Sequence, residues 1–242
     1  MSVDIPKVFD TLEQAHGGLT WHWTDETPAF DVCAGAILVQ NTTWTNAERA
    51  LARLHAADVR SVEALAATPA DLLEDLVRPA GQFRQKARKL RAFAAASIDA
   101  GGLERLLELP SGELADRLLA TWGIGPETAD CIRCYAAGHD VLVVDAYTVR
   151  LFRRLGTGPE SDTYGAWQEW LTRGLGESAR WPGSAGYGRA HALVVLHGKH
   201  LCRKRAPRCD ACPLAPQCGF AANDNDPRVQ RGSQRTSAVE EP

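Results

Sequence analysis

The segment from Gly123 to Asp145 sets the tightest limit on how this chain can fold. It begins Gly123-Ile124-Gly125-Pro126-Glu127-Thr128-Ala129-Asp130 and ends Val143-Val144-Asp145-Ala146-Tyr147. A Gly-x-Gly turn followed by proline reverses the chain and opens a helix, because proline suits the first helical turn. Such a turn aims several backbone N–H groups at one spot, which suits a phosphate. The apolar run Val141–Val144 is read as a buried connector that delivers Asp145 to a helix start, as its cap or close to it. A phosphate anchor with a carboxylate nearby is a kit for chemistry on a nucleic acid. A Gly-x-Gly alone is weak evidence, since most such turns simply end helices.

Helical periodicity dominates the rest. Apolar residues recur at helical spacing over 46–57, 69–77 and 85–100, the last stopping at Gly101-Gly102. Helices are also expected over 111–122, with Ser111 as its cap, over 126–138, from Asp145 to Leu155, and over 164–175 and 189–200. No run of alternating strands is evident, so the expected class is all-α.

Four of the seven cysteines, Cys202, Cys209, Cys212 and Cys218, fall in the spacing C-x6-C-x2-C-x5-C. Four thiolates so close in sequence can wrap one metal centre. A zinc knot and an iron–sulfur cluster both fit this donor set, whereas disulfides fit poorly without any sign of secretion. Cys33, Cys131 and Cys134 read as small buried residues.

The hairpin with its Asp, joined to this quartet, resembles the helix-hairpin-helix DNA glycosylases of the endonuclease III superfamily. The resemblance spans nearly everything except residues 220–242. It implies a helical barrel domain carrying the hairpin, 28–137, and an iron–sulfur domain built from 1–27 and 138–219, with the substrate cleft between them. It implies a [4Fe–4S] cluster on Cys202, Cys209, Cys212 and Cys218, with zinc as the alternative. The partner it implies is double-stranded DNA containing a damaged or mismatched base. Residues 220–242, rich in Asp, Asn, Arg, Ser and Glu, read as a disordered tail.

Net charge is −3, which does not advertise DNA binding, but its distribution does. Arg84, Lys86, Arg88 and Lys89 form one acid-free basic segment, and Arg203, Lys204 and Arg205 form another inside the cysteine loop. The N-terminus lacks a signal-peptide pattern and no apolar run is long enough to span a bilayer. A cytoplasmic, nucleoid-associated monomer with no membrane partner is expected.

Breaking an N-glycosidic bond builds positive charge on the sugar, and a carboxylate stabilises it. Asp145 matches the family's catalytic Asp. Bifunctional relatives add a lysine two places after the Gly-x-Gly, which attacks the sugar through a Schiff base. Glu127 stands there, and a carboxylate cannot form an imine. The expected activity is therefore base release by water without strand cleavage. A bifunctional enzyme recruiting another amine, or a catalytically weak DNA-structure binder, are the alternatives.

For the base pocket, Trp21, Trp23 and the segment Gln40-Asn41-Thr42-Thr43-Trp44 look closer to the 3-methyladenine branch. An alkylated purine is cationic, and an aromatic face attracts a cation by ~0.5–2 kcal/mol. The same tryptophans also suit a hydrophobic core. Glu127 is a possible second acid. Gly123, Ile124 and Gly125 match the DNA-gripping hairpin, and Gln82 or Phe83 matches the wedge loop, with Gln40 as a second gap filler. Arg84 and Lys86 are expected to contact phosphates. His191 and His197 are expected near the cluster.

Overall fold

A computed structural model describes residues 3–176 and 178–224. No strand occurs among them. The helices, in chain order, are α1 (Ile5–His16), α2 (Ala29–Leu38), α3 (Trp44–Ala56), α4 (Val62–Ala67), α5 (Ala70–Leu76), α6 (Phe83–Asp99), α7 (Leu103–Leu107), α8 (Ser111–Ala120), α9 (Pro126–Cys131), α10 (Ala146–Leu155), α11 (Tyr164–Leu175), α12 (Ser184–His200) and α13 (Gly219–Asp224). The fold is all-helical, as the periodicity indicates. Of the tail expected over 220–242, the first residues belong to α13, and 225–242 lie outside the described residues.

The chain divides into two compact units. The hairpin unit comprises Trp21–Val143 with Gly183–Ala185. Its centre is α2, apolar on nearly every face, with Phe30, Val32, Cys33, Ile37 and Leu38 all buried. A helix that is apolar all round belongs inside a core. α6 lies alongside, burying a stripe of Ala87, Leu90, Phe93, Ala94 and Ser97. The turn 21–27, grouped by sequence with the cysteine segment, packs here because Trp23 is buried in this core. α9 continues into a wider π-type turn, Ile132–Ala136, before Gly138 reverses the chain at φ +68°. The expected Ser111 cap is not one. Pro110 takes that position, and the Ser111 hydroxyl accepts from Arg133, 2.7 Å away.

Among the described residues the cysteine unit comprises 3–20, 144–176, 178–182 and 186–224. α12 is its spine, with the run from Ala190 to Gly198 buried without interruption. α1 presents Ile5, Val8, Phe9 and Leu12 at helical spacing. Phe9 meets Phe152 and Trp181 at ring-centre distances of 5.9 and 5.7 Å. Arg189 grips Glu13 through two bonds of 2.9 and 3.1 Å and also donates to the Gly17 carbonyl. The Arg189 bond holds the Glu13 carboxyl below its ordinary pKa. Fork geometry of this kind fixes orientation as well as adding attraction.

Candidate active site and nucleic-acid interface

Asp145 is the N-cap of α10, as its place after the apolar connector suggests. Its Oδ1 accepts from the Thr148 backbone N–H at 2.7 Å and from the Thr148 hydroxyl at 2.8 Å. Its Oδ2 lies 3.7 Å from His191 Nε2. The side chain is 7% exposed, and burial works to raise its pKa. His191 and the two Thr148 bonds outweigh that, and the carboxyl stays below its ordinary range. A buried carboxylate is thus kept charged at neutral pH.

The sequence missed His191 in this place. It was expected beside the cluster with His197, but it turns to Asp145. Six residues along an α-helix advance the direction by about 240°, so the two imidazoles cannot share one face. Tyr147 and Lys199 also lie within electrostatic reach of Asp145. Burial lowers the Lys199 ammonium pKa, and the Asp145 charge opposes that. Burial and Asp145 together raise the Tyr147 phenol.

In the hairpin unit, Gly123 takes φ +84°, a left-handed conformation that favours glycine. Gly125 caps α9, Pro126 occupies its first turn, and Glu127 is exposed on that turn. The Ile124 side chain is buried in the core and its N–H donates to the Thr121 carbonyl, so this residue shapes the turn. Gln40 was expected as a gap filler, yet it braces the hairpin. Its Nε2 donates to Thr128 Oγ1 at 2.8 Å and to the Gly123 carbonyl at 3.3 Å. Lys89 Nζ donates to Gln40 Oε1 at 2.5 Å. The Lys89 stem lies flat on Gly123, where an added Cβ would sit 2.5 Å from its Cγ. Asn41, next to Gln40, has φ +54°.

The expected wedge loop is a sharp turn. Gly81 and Gln82 both have positive φ, 69° and 45°, and Gln82 is exposed at the start of α6. Phe83 lies under the guanidinium groups of Arg78 and Arg84, at 4.4 and 5.3 Å from its ring centre. Arg84 is exposed and 3.6 Å from Glu74. Lys86 is not exposed as its expected phosphate contact requires. It is 2% exposed, and its ammonium donates to the Ala80 carbonyl at 2.5 Å. In this conformation it holds the turn from inside rather than facing a phosphate. Burial, and then the charge of Lys89, push its pKa down to about 8.

The tryptophans expected at the base pocket do come together. Trp21, Trp23, Trp44 and Tyr135 form one aromatic group, with Trp21 and Trp44 half-buried and Trp23 buried.

The four clustered cysteines line one cavity in the cysteine unit, walled by Leu151, Leu155, Leu201 and Leu214. None of them forms a disulfide. Among the described residues, no three ligating side chains converge tightly enough to hold a metal ion. The donor chemistry fits a thiophilic group, because four sulfurs share an apolar surround. Burial raises the Cys212 thiol, and the other three cysteines raise it further. Arg154 donates to Cys202 Sγ at 3.2 Å, and His197 Nε2 lies 3.6 Å from Cys212 Sγ. Burial pushes the His197 imidazole down to about 4, so it is neutral. The remaining three cysteines are buried as expected, and burial raises the Cys134 thiol to about 12.

The all-helical scaffold carries a charge-bearing cap, a glycine hairpin and a cysteine-lined cavity, and comparison places the chain in a class of DNA repair proteins. Residues 34–175 match the family described as HhH-GPD superfamily base excision DNA repair protein, and the chain belongs to that family. It is 36% identical over 217 residues to a protein of Methanocaldococcus jannaschii provisionally named a DNA repair glycosylase, covering 88% of this chain and 95% of that one. Among solved structures, an H. pylori 3-methyladenine DNA glycosylase (MagIII) bound to 1,N6-ethenoadenine is similar. Its TM-score is 0.71 at 26% identity, covering 81% of this chain and 98% of that one. A non-covalent endonuclease III–DNA complex shares the fold, with TM-score 0.77 at 22% identity over 93% and 99% of the two chains. No described helix is long and apolar enough to cross a membrane.

Proposed function

We propose that this protein is a monofunctional DNA glycosylase, which releases a damaged base from double-stranded DNA by hydrolysis and leaves the strand intact. The observation that carries the reading is the buried, ionised carboxylate of Asp145. In a site shielded from water, a fixed negative charge stabilises the positive charge that develops on the sugar as the base departs. It also accepts a proton from an attacking water. Oδ1 is fixed by Thr148, so the carboxylate needs no reorganisation as charge appears. His191 Nε2 lies 3.7 Å from the other oxygen, Oδ2.

Strand cleavage requires an amine that forms an imine with the sugar. At the place where bifunctional relatives carry lysine this chain carries Glu127, whose carboxylate has no such chemistry. The hairpin around Gly123 and Gly125, braced by Gln40 and Lys89, grips the DNA backbone, and Gln82 at its turn fills the gap left by the extruded base. The substrate is an alkylated purine, a reading supported by the tryptophan group and by the 3-methyladenine glycosylase neighbour. Cys202, Cys209, Cys212 and Cys218 hold a [4Fe–4S] cluster, which when bound cross-links the loop that presents Arg203, Lys204 and Arg205. The protein acts as a monomer in the cytoplasm at the nucleoid.

The test is a panel of lesion-bearing duplexes scored separately for free base and for nicked strand, with borohydride added in parallel. Free base without nicks and without a covalent adduct is the expected result. A borohydride-trapped adduct overturns the monofunctional reading.

A further inference from the structure

The slot between Trp21 and Trp44 is already filled by a ring of the protein itself. His22 stacks on Trp44 with ring centres 3.6 Å apart and planes 18° from parallel. Trp21 covers it at 3.9 Å and 39°. Two indoles cannot share one face of a five-membered ring at those distances, so the imidazole lies between them. Trp23 closes the edge at 4.9 Å and 68°.

We propose that His22 is a built-in surrogate base: its imidazole occupies the slot meant for an extruded purine and must be displaced before that purine can stack. The identity of the incoming base rests on the glycosylase reading above; the occupied slot does not. Displacement sets a threshold. A neutral, undamaged base gains from the two indoles about what the imidazole gives up, so it gains little by entering. A cationic or electron-poor purine is drawn more strongly to indole faces and clears the threshold. His22 thereby acts as a specificity-determining residue that touches the substrate's place rather than the substrate.

Two further features fit this reading. Three hydrogen bonds lie within the turn: Thr24 N–H donates to Thr27 Oγ1 at 3.0 Å, Thr27 Oγ1 donates to the His22 carbonyl at 3.3 Å, and Thr27 N–H donates to the Thr24 carbonyl at 2.9 Å. None of these bonds uses the His22 imidazole, so rotation of that side chain out of the slot leaves them and the buried Trp23 in place. The indole N–H of Trp23 is buried with no hydrogen-bond partner. It lies beside Gly35, where an added Cβ would sit 3.5 Å from it and 3.2 Å from the Trp44 ring. An unpaired buried donor beside the slot is costly unless something is to be bound. A purine edge supplies the missing acceptor.

The test uses free 1,N6-ethenoadenine, a fluorescent purine, titrated against the full-length protein. Quenching on stacking reports binding. His22→Ala should bind about tenfold more tightly than wild type, since one stacked ring no longer competes. Trp44→Ala should bind at least tenfold more weakly. The preference for ethenoadenine over adenine should narrow in His22→Ala. Unchanged or weaker binding by a folded His22→Ala protein overturns the proposal and makes His22 part of the wall. If that variant does not fold, the wild-type protein decides. Its His22 ring proton resonances should sit upfield under the two indoles and relax toward free-histidine positions at saturating ethenoadenine. Resonances that stay put overturn the proposal. Free-base binding needs no bond cleavage, so a failure to release bases from DNA would sink the glycosylase reading and leave this result standing.

Discussion

Replacing Gly123 by alanine tests how the hairpin is held. The cost has two parts. A non-glycine residue at φ +84° costs about 1–2 kcal/mol in backbone strain. The new methyl would also sit 2.5, 2.8 and 2.9 Å from Lys89 Cγ, Cε and Cδ. Those are stem atoms, so the whole side chain must leave and its bond to Gln40 Oε1 is lost. A hydrogen bond to a charged group is worth about 1.5–3 kcal/mol, giving roughly 2.5–5 kcal/mol for Gly123→Ala. Gly138 supplies the control, because it has φ +68° but nothing within 4 Å of an added Cβ. Gly138→Ala should carry the strain alone, about 1–2 kcal/mol. Urea unfolding followed by tryptophan fluorescence measures both. In a Gly123→Ala/Lys89→Ala protein the clash and the bond are both absent, so its loss should be less than the sum of the two single losses. Equal losses for the two glycine variants, or strict additivity with Lys89→Ala, would refute the reasoning.

Three other outcomes follow from the same geometry. The folded Lys86 pKa, about 8, lies below the unfolded value near 10.4, so the unfolded chain binds more protons in between. Stability should therefore rise between pH 8 and 10.4 by at most ~3 kcal/mol, and Lys86→Met should abolish that rise; a flat wild-type profile contradicts the buried ammonium. Without His191 the Asp145 carboxyl keeps the burial that raises its pKa and loses its largest opposing influence. The acid limb of base release should thus move to higher pH in His191→Gln, and an unmoved limb in the pH–rate profile would separate His191 from Asp145. Arg154→Gln removes the donor to Cys202 Sγ and to the Arg203 carbonyl, so under the proposed cluster assignment the purified variant should show less brown absorbance per chain than wild type. Full absorbance would show that Arg154 is dispensable for the cysteine loop.

Local signals located most of the helices and the Asp145 cap, because these depend on residues within a turn or two of each other. Pro126 in the first turn of α9 and Leu155 at the end of α10 follow from such signals. Interactions across sequence were harder to see. Ser111 looks like a cap but serves as an acceptor for Arg133, and only the tertiary fold brings those two together. Lys86 was counted with its charged neighbours, yet it shares a helical face with Leu90, Phe93 and Ser97, all buried. Spacing i, i+4, i+7, i+11 places it on the apolar stripe, a signal that charge counting obscures. Gln40 gave no local sign of bracing residues more than eighty positions away. The aromatic group was foreseeable from composition. That His22 would fill it was not, because stacking order depends on how one short turn folds back.

Base release by Asp145→Asn tests the central claim most directly. Asparagine is as good an N-cap as aspartate, so α10 and the fold should survive while the negative charge is lost. The account predicts a melting temperature close to wild type and base release from methylated duplex DNA lower by about 10²–10³-fold. A folded Asp145→Asn protein that releases base at the wild-type rate would contradict it.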